Sequence, residues 1–198
     1  MLRLVASITK RWGSQSAKQR VWDSEYRGGK WDVSQEQLAG TDPIYQSLDR
    51  YGVDARILDL GCGGGVTALE MTSEYREYVG VDVSDVAVAS AIHAVSLDPK
   101  RAGKTSFCVG DIANFRPAGE FNVILFRESI YYLPLHQIKK ALNHYSAFLG
   151  KNGVFIVRLC NRYKYTSISE LLQKNLQIDQ KFLPADSKTA IIIGSPAS

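Results

Sequence analysis

Asp59, Gly61, Gly63 and Gly65 alternate through "DLGCGGG", with the apolar run "RILDL" leading in and the helix-like "VTALEM" leading out. Glycine tolerates φ > 0 and carries no Cβ, so this loop can bring bare main chain against a ligand. The dinucleotide fingerprint GxGxxG, counted from Gly61, needs a third glycine at position 66, and Val66 stands there. Two more acids close apolar runs downstream, Asp82 in "VGVDVS" and Asp111 in "VGDIANF". A carboxylate at Asp82 can accept paired hydrogen bonds from the vicinal hydroxyls of a sugar. A second role is open to the same segment, since Asp82 and Ser84 both stand where a cap for "DVAVASAI" is needed.

These residues need a frame that gathers strand ends. Five short runs, "ARILDLG", "EYVGVDVS", "TSFCVGDI", "FNVILFRES" and "GVFIVRLC", are apolar at most positions. Such runs suit strands buried on both faces, hence a parallel sheet covered by helices. Between them "VTALEMTSEY", "DVAVASAIHAVSL" and "PLHQIKKALNHYSAFL" repeat apolar residues at spacings of three and four, the helical period. "DPIYQSLDRY" reads as a further helix, with Asp42 as cap and Pro43 as first helical residue. "ISELLQKN" then gives a last helix, and "LQIDQKFLP" and "KTAIIIG" two more strands. The class is α/β: a doubly wound sheet whose ligand crevice lies at the C-terminal strand ends, where Asp59, Asp82 and Asp111 are expected.

The pattern Asp59-x-Gly61-x-Gly63-x-Gly65, with acids at the next two strand ends, resembles the class I S-adenosylmethionine-dependent methyltransferases, whose first motif is (D/E)xGxGxG. The resemblance covers about residues 42 to 194. It implies a Rossmann-like sheet of about seven strands, mostly parallel with an antiparallel last strand, and helices on both faces. It also implies S-adenosyl-L-methionine as cofactor and S-adenosyl-L-homocysteine as product. Carried over residue by residue, Asp59 and the backbone of Gly61, Cys62 and Gly63 hold the methionyl end, and Asp82 holds the ribose. Val83 and Ile112 flank the adenine, and Asp111 faces its exocyclic amine. Charge agrees with this ligand. A sulfonium is a permanent cation with no pyrophosphate, whereas an acid beside the loop would oppose a dinucleotide's phosphates by roughly several tenths of a kcal/mol or more.

After the fourth run stands Phe126-Arg127-Glu128-Ser129. Nucleic-acid amino-methyltransferases carry an Asn/Asp-Pro-Pro-aromatic motif there, and cytosine-C5 enzymes a catalytic cysteine. Neither is present, so a nucleic-acid acceptor is not expected. Glu128 through Leu133, "ESIYYL", looks like small-molecule members of the family, including nodulation-type sugar N-methyltransferases. Arg127 is a departure, since those enzymes usually have a small residue there; the side chain either points away or binds an anionic substrate. Glu128, Tyr131, Tyr132 and His136 are the groups that could touch the acceptor. Glu128 or His136 could serve as base for an alcohol, while an amine need only arrive unprotonated. Tyr131 and Tyr132 read equally well as core aromatics, and His136 as a solvated helix residue. No metal is expected, because no Cys or His ligand spacing occurs.

"VWDSEYRGGKWD" resembles the N-terminal element of small-molecule methyltransferases of the thiopurine and tellurite-resistance types. There it folds over cofactor and acceptor, so Trp22, Tyr26, Arg27 and Trp31 are lid candidates, with an aromatic brace as the rival reading. Arg27 could pair with the cofactor carboxylate. Trp31 and Arg127 complete the expected cofactor set. Only 38 residues follow Cys160, which leaves little room for a recognition domain and favours a small-molecule or glycan acceptor. The alternatives are methylation of a protein or nucleic acid, and a catalytically silent cofactor-binding partner subunit.

The chain has 198 residues and reads as a single methyltransferase domain over 21–198, with a lid segment at 21–41 and a basic arm at 1–20. The net charge of +4 sits on that arm: residues 1 to 22 hold five of the 24 basic residues and no acid, leaving 19 against 20 acids elsewhere. A nucleic-acid enzyme would carry that charge around its catalytic face. The arm reads as a frayed or surface-lying helix, with weak membrane-surface contact or organelle targeting as the other options. An arm of that kind would be dispensable for transfer to a small acceptor. No apolar run approaches the ~20 residues that span a bilayer. Three scattered cysteines fit reduced thiols, and the expected location is cytoplasmic.

Overall fold

The computed structural model describes residues 2–31 and 42–197. Its strands are β1 (Arg56–Leu60), β2 (Glu77–Asp82), β3 (Thr105–Val109), β4 (Phe121–Arg127), β5 (Leu149–Leu159), β6 (Leu176–Phe182) and β7 (Ala190–Pro196). They form one sheet in the order β3-β2-β1-β4-β5-β7-β6. Strands β1 to β5 pair in parallel, and β7 runs antiparallel to both β5 and β6. This is the mixed sheet that the resemblance implies. Because β1 lies between β2 and β4, chain order reverses there and a crevice opens beyond the C-terminal ends of β1 and β4.

The helices are α1 (Leu2–Trp12), α2 (Gln15–Arg27), α3 (Ile44–Tyr51), α4 (Val66–Glu70), α5 (Asp85–Ser96), α6 (Pro99–Ala102), α7 (Leu135–Ser146) and α8 (Thr166–Asn175). Strand alternation feeds two cores. Leu58, Leu60, Ile124, Phe126 and Phe155 pack with Ile138, Leu142 and Tyr145 of α7 and Leu172 of α8. Ile57, Val123, Leu125 and Ile156 point the other way, onto Ile44 and Leu48 of α3 and Ala68 of α4. A sheet covered on both faces has no polar side, hence the nearly continuous apolar runs.

Three local expectations change and one helix is added. The helix after the glycine loop stops at Glu70, because Met71 turns to ψ 128° and buries its side chain. Helix α3 begins at Ile44, with Pro43 as its cap residue. Asp42 does accept the Ile44 amide at 3.1 Å, but its main partners are two arginines. Helix α6 was hidden in a polar stretch, where Asp98 caps it and Pro99 opens it. The basic arm is helical, as one of its readings had it, but it forms two helices rather than one, and its boundary at residue 20 falls inside α2, which Ser14 caps by accepting from the Ala17 amide at 3.3 Å. The remainder of the 21–41 lid segment, residues 32–41, lies outside the described residues. Among the described residues no helix is long and apolar enough to cross a membrane.

Candidate active site

The loop after β1 turns back over β2, with the amides of Gly61 and Cys62 both donating to the Val81 carbonyl at 2.7 and 3.0 Å. Gly61 and Gly63 sit at φ +89° and +54°, in the left-handed region. A Cβ on Gly61 would lie 2.4 Å from the Ser129 Cβ, and one on Gly63 would lie 2.8 Å from the Tyr26 hydroxyl. Both the handedness and the space therefore demand glycine. Beneath the loop Asp59 is fully buried. Tyr78 donates its hydroxyl to Oδ2, while Oδ1 has no hydrogen-bond partner among the described residues. Burial pushes the Asp59 pKa up to about 6, against the opposing Tyr78 bond and Arg127 charge.

Asp82 closes β2 and ties it to the loop. Its Oδ2 accepts the Gly63 amide at 3.0 Å and its Oδ1 the Ser84 amide at 2.9 Å. Burial raises this carboxyl to about 6, and those amide bonds oppose the rise. Ser84 rather than Asp82 caps α5, accepting from the Ala87 amide at 3.2 Å and donating to Asp23 at 2.6 Å. Asp111, beyond β3, accepts the Ala113 amide at 3.0 Å and the Lys18 ammonium at 2.7 Å.

The ends of β4 and β5 carry a buried chain of charges. Arg127 donates to Asp42 at 3.1 Å, and to the Tyr45 and Thr67 hydroxyls at 3.0 and 3.1 Å. Arg158 reaches the same Asp42 carboxylate at 2.8 Å and pairs with Glu128 through its other arm. Glu128 also accepts from the Tyr131 hydroxyl at 2.8 Å and the Cys160 amide at 3.1 Å. Its backbone is at φ +58°, a strained conformation for a residue with a Cβ, and these bonds hold it there.

Helices α1 and α2 roof the crevice. Lys10 points inward, bonded to Glu25 at 2.6 Å and lying 3.6 Å from the centre of the Trp22 ring. Burial lowers its pKa, and Glu25 offsets part of that effect. Trp22 meets Tyr132 edge-on at 4.8 Å, joining the roof to the segment after β4. Trp31 packs 5.5 Å from Trp22 and donates to Glu25 at 3.2 Å. The partly covered cavity beneath the two helices measures about 610 Å³.

Its wall brings together nearly all the expected residues. Asp59, Gly61, Cys62, Gly63, Asp82, Val83, Asp111 and Ile112 line it, and so do Trp31, Arg127, Glu128, Tyr131 and Tyr132. His136 is absent from this wall; it is exposed on α7 with its ring stacked on Trp12, because it lies on the solvent side of that helix. Arg27 is likewise exposed and pairs loosely with Asp85 at 3.9 Å. Arg127 does face the cavity, but Asp42 compensates its charge. Tyr131 is neither a buried core ring nor a free one, since it stacks on Tyr165 at 4.3 Å and serves Glu128. The sequence reading missed Lys10, Lys18 and Arg158, all on the cavity wall. The signal available was complementarity: an acid-free basic stretch beside strand-end acids lacking partners.

Residues 52–194 match the family described as "Methyltransferase domain". Magnesium-protoporphyrin O-methyltransferase of Rhodobacter capsulatus is 35% identical over 97 residues, 48% of this chain and 40% of that protein. Thiocyanate methyltransferase 1 of Arabidopsis thaliana is 31% identical over 121 residues, 61% of this chain and 50% of that protein. The matches thus span half or less of each relative. In fold, the chain is similar to the N-methyltransferase NodS of Bradyrhizobium japonicum, solved with S-adenosyl-L-homocysteine, with TM-score 0.64 and 18% identity over 84% of this chain and 87% of that one. The glycine loop, the mixed seven-stranded sheet and the family match lead to one assignment: the chain belongs to the class I S-adenosylmethionine-dependent methyltransferases.

Proposed function

We propose that the chain transfers the methyl group of S-adenosylmethionine to an amine or hydroxyl of a small molecule or carbohydrate. The carrying observation is the roofed cavity of about 610 Å³, walled by Trp22, Tyr26, Trp31, Tyr131 and Tyr132. That volume is in the range of small-ligand sites, and a roof of two helices favours a compact acceptor over a macromolecule. The acceptors named for the two relatives, magnesium-protoporphyrin and thiocyanate, are likewise small molecules, although neither is an amine or an alcohol.

When bound, the cofactor supplies an electrophilic methyl on a sulfonium. Asp59, whose Oδ1 has no partner among the described residues, and the Gly61-Cys62-Gly63 backbone fit the cationic methionyl end. Asp82 retains lone pairs for ribose hydroxyls, and Asp111, paired with Lys18, retains them for the adenine amine. Val83 and Ile112 offer apolar surface for the ring, and Trp31 and Arg127 line the same cavity. Glu128 is engaged as an acceptor from Arg158, the Tyr131 hydroxyl and the Cys160 amide. Its work is to hold the segment after β4 in place. This favours an amine acceptor that reaches the cavity neutral, with acceleration coming from alignment and exclusion of water.

The test is to incubate the protein and methyl-labelled cofactor with cell extract separated into low-mass and macromolecular fractions. Label on nitrogen or oxygen in the low-mass fraction is expected; label confined to RNA or protein would overturn the proposal.

A further inference from the structure

Helix α1 turns its apolar stripe outward. Leu4, Val5, Ile8 and Trp12 are 67, 56, 53 and 60% exposed, while the opposite face sends Lys10 into the cavity. A surface helix ordinarily does the reverse and buries that stripe. The patch runs on to α7, where the Trp12 ring stacks on His136 at 5.6 Å and Leu135 beside it is 43% exposed. Cations frame it. Arg11 flanks the stripe on α1, and Lys139 and Lys140 stand exposed about one turn beyond His136. Neither helix contains an acid.

We propose that this face docks on an anionic lipid bilayer. Helix α1 lies in the interfacial plane, with Leu4, Ile8 and Trp12 toward the acyl chains and Arg11, Lys139 and Lys140 against lipid phosphates. Charge selects the occupant. A second copy joined by a two-fold axis would set this acid-free basic patch against itself, whereas an anionic bilayer offers both the apolar depth and the counter-charge. Docking places the outer surface of the cavity roof on the membrane and is independent of what the acceptor is.

The full chain is to be co-sedimented with vesicles of phosphatidylcholine alone and of phosphatidylcholine with about one-third phosphatidylserine. Binding to the second and little to the first is expected, and Ile8→Glu should weaken it about tenfold or more. Lys139→Glu/Lys140→Glu should weaken it too and reduce its salt dependence. Ile8 does not line the cavity, so unchanged affinity of Ile8→Glu for S-adenosylhomocysteine verifies its fold; Leu4→Gln serves if that control fails. No binding to anionic vesicles, or equal binding by the folded variants, overturns the proposal. So does a concentration-dependent dimer that Ile8→Glu dissolves, which would give the face to a second copy.

Discussion

Lys18 of α2 and Asp111 at the end of β3 form an ion pair of 2.7 Å, with side chains only 8 and 9% exposed. The pair fastens the cavity roof to the sheet and spans 93 positions of sequence. Removing one partner of such a pair leaves an uncompensated buried charge, which typically costs about 3–5 kcal/mol. Lys18→Ala should therefore lower unfolding free energy by roughly 3 kcal/mol. Adding Asp111→Asn should recover part of the loss. Denaturant titration reads both, and a Lys18→Ala protein as stable as the wild type would show that the pair does not form in solution.

Deleting residues 1–20 removes Lys10 and Lys18 together and splits α2. The variant should lose transfer even to a small acceptor, in contrast to the behaviour of a dispensable arm. Its affinity for S-adenosylhomocysteine, measured by calorimetry, should fall as well. Full activity of the truncated chain would mean that the roof is not part of the site.

What the sequence could disclose follows from range. The glycine loop, Asp82 and Asp111 are each written in a few adjacent residues, because a strand end and its loop are local features. The same runs marked the strands, whereas the mixed sheet was an implication of the family resemblance and the strand order came from the structure. The roof was legible only in part: Trp22, Tyr26 and Trp31 stood out as lid candidates and line the cavity, whereas α1 buries Lys10 and exposes its hydrophobes, the opposite of the usual amphipathic rule. Arg158 was hidden for a related reason. It sits in the apolar run "GVFIVRLC", and only the fold shows Asp42, 116 positions earlier, waiting for it. His136 failed in the other direction, because periodicity places it on α7 but does not say which face of the helix meets the cavity.

Asp82→Ala should weaken S-adenosylhomocysteine binding by ~1–3 kcal/mol, the usual worth of charge-assisted hydrogen bonds. The same change frees the Gly63 amide, so some of the loss will come from a looser loop. Asp82→Asn keeps an acceptor oxygen and should lie between the two. Equal dissociation constants for wild type and Asp82→Ala would remove the ribose role.

Gly63→Val should abolish cofactor binding. The position needs φ +54°, which a β-branched residue resists, and the added Cβ would crowd the Tyr26 hydroxyl at 2.8 Å. Calorimetric titration decides the matter: a normal isotherm from this variant would place the ligand elsewhere.

Cofactor affinity should rise with pH through about 6, because two wall carboxyls titrate there. Burial lifts Asp59 and Asp82 from 3.8 to about 6 in the folded chain. A raised folded-state pKa means that the native protein binds these protons more tightly than the unfolded chain. Their contribution to ligand-free stability is thus complete below about 4 and is lost as pH climbs through about 6. The cofactor acts in the opposite sense. Its cationic methionyl end favours ionised Asp59, and its ribose hydroxyls donate best to ionised Asp82. Binding near pH 6 should accordingly release protons and grow tighter from about pH 5 to about pH 7, then level off. Titration in two buffers of different ionisation enthalpy counts the protons directly. Affinity that is flat across this window, with no proton release, would mean that neither carboxylate meets the ligand.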